Sequence, residues 1–287
     1  MASDVAIEVE DLRKDYGSQH AVRGISFRVR RGEVFGLLGP NGAGKTTTVE
    51  ILEGYRERTA GHVAVLGMDP GPRPLALRER IGIVLQSSGL YRHLTVHEAV
   101  SHWAGFYRSP RDVEETIALS GLEAAAGRRT ITLSGGQQRR LDFALALVGD
   151  PELVFLDEPT TGFDPAARRQ AWDTVRSLQE LGKTVLLTTH YLDEAQALAD
   201  RVAIIKDGAI LAEGAPGELG AATRRYRVAW RDAGGTAHER ETEDPTPLLY
   251  ELTGEALARG DSVHELSVTQ PSLEDVYLEL TAEADST

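Results

Sequence analysis

Gly39-Pro-Asn-Gly-Ala-Gly-Lys-Thr46 places lysine and a hydroxyl residue directly after two glycines separated by four residues. Such a loop lets backbone N–H groups close around phosphate oxygens. Lys45 then reaches the β- and γ-phosphates of a nucleoside triphosphate, and the Thr46 hydroxyl ligates Mg²⁺. The candidate binding residues are Gly39, Pro40, Asn41, Gly42, Ala43, Gly44, Lys45, Thr46 and Thr47. A second string, Leu153-Val-Phe-Leu-Asp-Glu-Pro159, is an apolar strand ending in two carboxylates. Asp157 is placed to hold the metal, and Glu158 to orient and deprotonate an attacking water. In the third, Leu133-Ser-Gly-Gly-Gln-Gln-Arg-Arg140, Ser and two glycines precede the apolar stretch Leu141–Val148. That is a helix start with bare amides, which favours an anion. One nucleotide needs one phosphate loop, so a second phosphate grip on the same chain calls for an explanation.

The elements that must hold these residues are readable nearby. Glu33–Leu38 is almost wholly apolar, the pattern of a parallel strand buried on both faces, and runs into the Gly39 loop. Lys45 onward reads as helix although Thr46, Thr47 and Thr48 are β-branched, a conflict expected where hydroxyls face a ligand. Leu153–Leu156 and Thr184–Thr188 are further buried strands, the latter leading to His190. Asp164 caps a helix with Pro165 at its first position. Ala171, Trp172, Val175, Leu178 and Leu181 form its inward stripe, and Gly182 ends it. Alternation in Ile25–Val29 predicts antiparallel β-structure near the N-terminus, and Val202–Ile205 with Ala209–Leu211 a hairpin. The stretch from Gln86 to about Gly127 predicts a helical insertion. Beyond Ala215–Ala222, strands at Tyr226–Trp230 and Val263–Val268 and helices at Pro247–Arg259 and Leu273–Thr281 predict a small α/β appendage.

Composition narrows the function. The net charge is −13, of which −8 lies in residues 221–287, where six basic side chains face fourteen acidic ones. No basic face that could neutralise a phosphate backbone is evident, which argues against nucleic acid as partner. The same acidity opposes direct docking on anionic lipid. Cysteine is absent, which excludes disulfides, thiol nucleophiles and cysteine zinc sites. The N-terminus lacks the pattern of a signal peptide, and no apolar run approaches the roughly 20 residues of a membrane span. A soluble protein is expected, with any pore supplied by another chain.

Together with Tyr16, Gln86, Asp164 and His190, the three strings resemble the nucleotide-binding subunit of an ATP-binding-cassette (ABC) transporter over about residues 4–220. The resemblance implies an α/β P-loop NTPase core with an antiparallel β-subdomain and a helical subdomain at about 87–150. Residues 222–287 would be a small accessory α/β domain. ATP and Mg²⁺ are the implied cofactors, with Thr46, Gln86 and Asp157 on the metal. Tyr16 would stack on adenine. Ser134, Gly135, Gly136 and Gln137 would grip the γ-phosphate held by the opposite protomer, so that two subunits clamp two ATP molecules head to tail. Asp164 would act across that interface besides capping its helix. The implied catalytic residues are Lys45, Gln86, Glu158 and His190. Phe163 and Leu145 stand where the family usually has Leu and Arg.

The implied partners are a second copy of the chain and an integral membrane permease, which would hold the protein at the cytoplasmic face of the membrane. Its docking surface is expected after Gln86, through Leu90-Tyr91 and Leu94-Thr95-Val96. Pro271–Tyr277 further resembles the C-terminal extension of exporters of the daunorubicin-resistance type, which implies efflux of a drug, antibiotic or lipid-like compound. The alternatives are an importer ATPase and a non-transport ABC ATPase. Against the second stand the short span between phosphate loop and signature, without heptads, and a single phosphate loop. A module that binds ATP without turnover is disfavoured by the intact Glu158 and His190.

Overall fold

The computed structural model describes residues 4–84, 93–222, 226–232, 234–260, 262–269 and 272–285. The expected docking residues Leu90 and Tyr91, and Gln86, lie outside them. The chain forms two compact units, 1–213 and 214–287.

In the first unit, strands β1 (Val5–Tyr16) and β2 (Gln19–Arg30) precede β3 (Val34–Leu38) and helix α1 (Lys45–Leu52). Next come β4 (Ala60–Val65), α2 (Leu75–Arg78), β5 (Ile81–Val84), α3 (Val96–Ala104), α4 (Val113–Leu119) and α5 (Gly135–Leu147). The unit closes with β6 (Leu153–Asp157), α6 (Pro165–Glu180), β7 (Thr184–Thr189), α7 (Leu192–Leu198), β8 (Arg201–Lys206) and β9 (Ala209–Gly214).

Two sheets result. One is the antiparallel sheet β2-β1-β4; the other has the order β5-β6-β7-β3-β8-β9 and is parallel from β5 to β8. The apolar strands read from the sequence are its centre: β3 is buried throughout and β7 likewise. A core between the sheets packs Ile7, Leu12 and Val29 against Leu37 and Phe155, with Phe27 and Phe35 stacked at 5.4 Å. On the other face Phe143, Val175, Leu178 and Leu198 cover Val154, Leu156, Val185 and Leu187. The turn from β8 to β9 has both Asp207 (φ 49°) and Gly208 (φ 77°) left-handed, as a tight hairpin turn requires.

Helices α3, α4 and α5 surround a third core, which includes Val96, Val100, Ile117 and Leu141. This corrects the docking expectation: Val96 is fully buried and Leu94 packs on the same core. Thr95 is spent on a capping box with Glu98. Leu181 departs from its expected place too, being 41 % exposed as the residue that terminates α6.

The second unit consists of α8 (Pro216–Ala222), β10 (Tyr226–Arg231), β11 (Ala237–Thr242), α9 (Pro245–Ala258), β12 (His264–Thr269) and α10 (Leu273–Asp285). Its sheet is β11-β10-β12, antiparallel. Helix α9 starts two residues before the expected Pro247, because Asp244 caps it and Pro245 takes the first position. Strand β11 was not expected. Its residues Ala-His-Glu-Arg-Glu-Thr are almost all exposed and give no apolar alternation, so pairing with β10 alone defines it.

Candidate functional site

Strands β6, β7 and β3 are neighbours, so their carboxyl ends form one edge. That edge is where an open α/β sheet takes its ligand. The Gly39 loop leaves β3 there, Asp157 ends β6, and His190 follows β7 directly. Glycine is obligatory at both ends of the loop. A Cβ on Gly39 would lie 2.1 Å from the Ile205 carbonyl oxygen, and one on Gly44 (φ 101°) 2.5 Å from that of Ala21. Asn41 and Gly42 are exposed, Ala43 is buried and Pro40 and Thr47 are half-buried.

Lys45 is only 4 % exposed and donates from Nζ to the carbonyls of Gly39 (2.8 Å) and Pro40 (3.1 Å). Its Nζ also lies 3.4 Å from Glu158 Oε1. Burial draws the ammonium below the usual lysine range, against the pull of Glu158 and Asp157. The Glu158 carboxylate has the opposite environment. Burial pushes it up, but Lys45, the Thr161 hydroxyl and His190 outweigh this and hold it below the usual range. Thr161 Oγ1 donates to Glu158 Oε2 at 3.0 Å, and His190 Nδ1 is 3.4 Å from Oε1 without hydrogen-bond geometry. Glu158 is therefore ionised at neutral pH, as a proton acceptor must be.

Thr46 Oγ1 lies 3.3 and 3.4 Å from the two carboxylate oxygens of Asp157. These are hard oxygen donors of the kind Mg²⁺ takes. Among the described residues no cluster of three or more His, Cys, Asp or Glu stands ready for a metal. One carboxylate and one hydroxyl suit an ion that brings its other ligands as water and phosphate oxygens, which is how Mg²⁺ usually binds. Gln86, the third expected metal ligand, lies outside the described residues.

Two contributors escaped the sequence reading. Thr188, fully buried in β7, donates from Oγ1 to Asp157 Oδ1 at 2.6 Å and accepts from the Glu158 N–H at 3.0 Å. The available signal was its place, a hydroxyl two residues before His190, in a strand that also carries Thr184 and Thr189. Arg139 on α5 donates from Nε to the Pro159 carbonyl at 3.2 Å, tying that helix to the segment after Glu158.

Ser134 caps α5. Its Oγ accepts from the Gln137 N–H at 3.3 Å, and its own N–H donates to Gln137 Oε1 at 3.1 Å. A Cβ on Gly135 or Gly136 would meet nothing within 4 Å. Asp164 caps α6 by accepting from the N–H groups of Ala166 and Ala167. Tyr16, at the end of β1, is 39 % exposed with Lys14 and Arg56 near its ring. The structure thus brings Lys45, Thr46, Asp157, Glu158 and His190 into one contact network and leaves Ser134, Asp164 and Tyr16 outside their hydrogen bonds.

A phosphate loop facing a buried ion cluster at a strand edge has close parallels. Residues 22–161 match the family model described as ABC transporter. The Nod factor export ATP-binding protein I of Rhizobium sp. (strain N33) is 39 % identical, over 97 % of this chain and 98 % of its own length. The daunorubicin resistance ATP-binding protein DrrA3 of Streptomyces coeruleorubidus is 38 % identical, over 98 % and 97 %. Among solved structures, a dimeric ATP-binding cassette in a post-hydrolysis state with ADP and Pi superposes with a TM-score of 0.65. It is 27 % identical and covers 73 % of this chain and 98 % of that one. Full-length similarity at this level to exporter ATPases, on the fold expected of a P-loop NTPase, means that the chain belongs to the ABC transporter family as an ATP-hydrolysing subunit.

Proposed function

We propose that two copies of this chain clamp two Mg²⁺–ATP molecules head to tail beneath an integral membrane permease, at the cytoplasmic face, and drive export of a drug-like or lipid-like compound. The observation that carries the shared site is the start of α5. The fold does not need glycine at 135 and 136, where side chains would point into open space, and the Ser134 and Gln137 side chains are each engaged by the other residue's backbone N–H, which leaves the Gly135 and Gly136 amides uncovered by side chains. Bare backbone there suits an anion arriving from outside the chain. The names of the relatives, export of Nod factor and daunorubicin resistance, support export as the direction.

Within each site Lys45 would hold the phosphates, with Thr46, Asp157 and Gln86 on the Mg²⁺ that offsets their charge. Glu158 would take the proton of the attacking water, His190 would turn from Glu158 toward the γ-phosphate, and Tyr16 would stack on the base. Closure on ATP and reopening after hydrolysis would move the permease as a rigid body. Hydrolysis would reside in residues 4–220, leaving the C-terminal unit to steady the dimer or meet the permease. Among the described residues no helix is long and apolar enough to cross a membrane, consistent with attachment through a partner.

A shared site makes the ATPase rate per subunit rise with protein concentration below the dimer constant. A rate that stays flat through a demonstrated monomer range, without permease, contradicts it. Thr188 supplies a second test. Thr188→Val keeps shape but removes two hydrogen bonds, one to the Asp157 carboxylate, worth about 1.5–3 kcal/mol, and one from the neutral Glu158 N–H, worth about 0.5–1.5 kcal/mol. The expected result is a kcat lower by about 10–100-fold, ATP affinity little changed, and recovery in Thr188→Ser. Unchanged kcat in the Val variant would remove Thr188 from the positioning machinery.

The permease needs a seat, and the first unit has an apolar groove of about 710 Å³ lined by Leu75, Ile83, Trp103, Phe106 and Tyr107. Phe106 is 66 % exposed and Leu75 57 %. A short amphipathic helix fits such a surface.

A further inference from the structure

Resting on that docking reading, we propose that Glu53 selects the partner by receiving an arginine or lysine side chain carried on the permease's cytoplasmic helix. Glu53 lines the groove, yet it is only 8 % exposed and its Oε1 has no hydrogen-bond partner. Among the described residues lining the groove, it alone carries an orphaned buried side-chain oxygen. A buried polar group without a partner weakens a fold and calls for an explanation outside the fold's own stability.

The position makes the choice of an acid more costly still. Glu53 is the residue that terminates α1, where the helix carbonyls already present partial negative charge and a carboxylate is repelled. Burial, with Asp157 and Glu50 nearby, pushes the Glu53 carboxyl up to about 8. The neighbouring charges do not relieve it. Arg73 donates to the carbonyls of Gly54 and Tyr55, Glu79 pairs with Arg108, Asp142 lies 3.8 Å from Arg139, and Arg78 lies near Tyr107.

The unmet capacity in the groove is therefore electronegative: a carboxyl oxygen beside a helix C-terminus. A cationic side chain complements both. Its aliphatic stem suits apolar walls, and its charged head is stabilised near the faces of aromatic rings such as Trp103 and Phe106. Arginine adds a planar fork that can engage a carboxylate through two donors. A neutral amide or hydroxyl would fill one hydrogen bond but would not draw the carboxyl back to its charged form, as an adjacent cation does.

The test uses the full chain and a membrane permease that co-purifies with it from solubilised membranes. Glu53→Met should lower retention of the detergent-solubilised permease at least tenfold. The melting temperature of the isolated chain should rise by roughly 2–4 °C, the shift expected when a small destabilising term is removed from a domain of this size. Synthetic peptides covering the permease's cytoplasmic loops identify the cation. The binding peptide should weaken at least tenfold when its arginine becomes citrulline or its lysine norleucine, and that loss should vanish against Glu53→Met. Phe106→Asp separates the two layers of inference. If it abolishes retention while Glu53→Met leaves it intact, the Glu53 assignment is wrong and the docking groove stands. If Phe106→Asp also leaves retention intact, the docking reading fails as well. A melting temperature that falls in Glu53→Met assigns the residue to the fold and overturns the proposal.

Discussion

Glu158→Gln should bind ATP as the parent does and hydrolyse it about 10²–10⁴-fold more slowly, the usual loss when a general base is removed. The amide preserves the length and the backbone conformation of glutamate and can still accept from Thr161, but it cannot take a proton. Its effect on the free site is also specific. Lys45 Nζ and His190 Nδ1 each lie 3.4 Å from Glu158 Oε1, so neutralising the carboxylate frees the Lys45 ammonium and the His190 ring to meet incoming phosphate. ATP should therefore bind at least as tightly, and ATP-dependent dimers of Glu158→Gln should accumulate on a sizing column. Single-turnover measurements separate the steps, since only the chemical step should slow. Parental turnover in the Gln variant would end the assignment of Glu158 as base.

Lys45→Ala should fail earlier in the cycle. The ammonium is held by two loop carbonyls in a pocket nearly closed to water, so its charge is screened little by solvent. Losing its charge-assisted contacts to phosphate should raise the dissociation constant for ATP by roughly 100-fold, since each such contact is worth about 1.5–3 kcal/mol. Titration with a fluorescent ATP analogue reads the change directly. Lys45→Arg should recover little, because a planar guanidinium does not fit a cradle built for a compact ammonium. If Lys45→Ala keeps parental affinity and loses only turnover, the lysine acts on the reaction rather than on binding. The two variants thus have opposite signatures: intact binding with lost chemistry, and lost binding.

What could be read from the sequence was chemistry that is local in the chain. Strand, glycine loop and lysine lie within one stretch, so Gly39–Thr46 announces its own geometry. The Asp164-Pro165 cap and the Ser134 helix start are likewise written in adjacent residues. What escaped depends on contacts between distant segments. Thr188 reaches Asp157 and Glu158 only because β7 pairs with β6, and Arg139 reaches Pro159 only because α5 packs beside that strand. Strand β11 carries no apolar face, so only its neighbour defines it. Val96 and Leu94 looked available for docking because an apolar residue at a helix start reads alike whether it faces a core or a partner. Glu53 had no sequence signal at all; its meaning comes from an orphaned oxygen.

Glu158 also has φ 45°, in the left-handed region that side-chain-bearing residues seldom occupy. The next residue is proline, and the Glu158 N–H is held by both the Thr188 hydroxyl and the Thr188 carbonyl, so the backbone has little room to relax. Drift at this codon is consequently filtered twice, once for proton transfer and once for torsion. Valine, isoleucine and threonine are excluded by shape before their chemistry matters, whereas asparagine, aspartate and glycine tolerate the conformation well. A lineage that abandons hydrolysis while keeping the fold has a narrow set of exits here, so the residue found at this place in a silent descendant should record the backbone's veto as much as the loss of selection on catalysis.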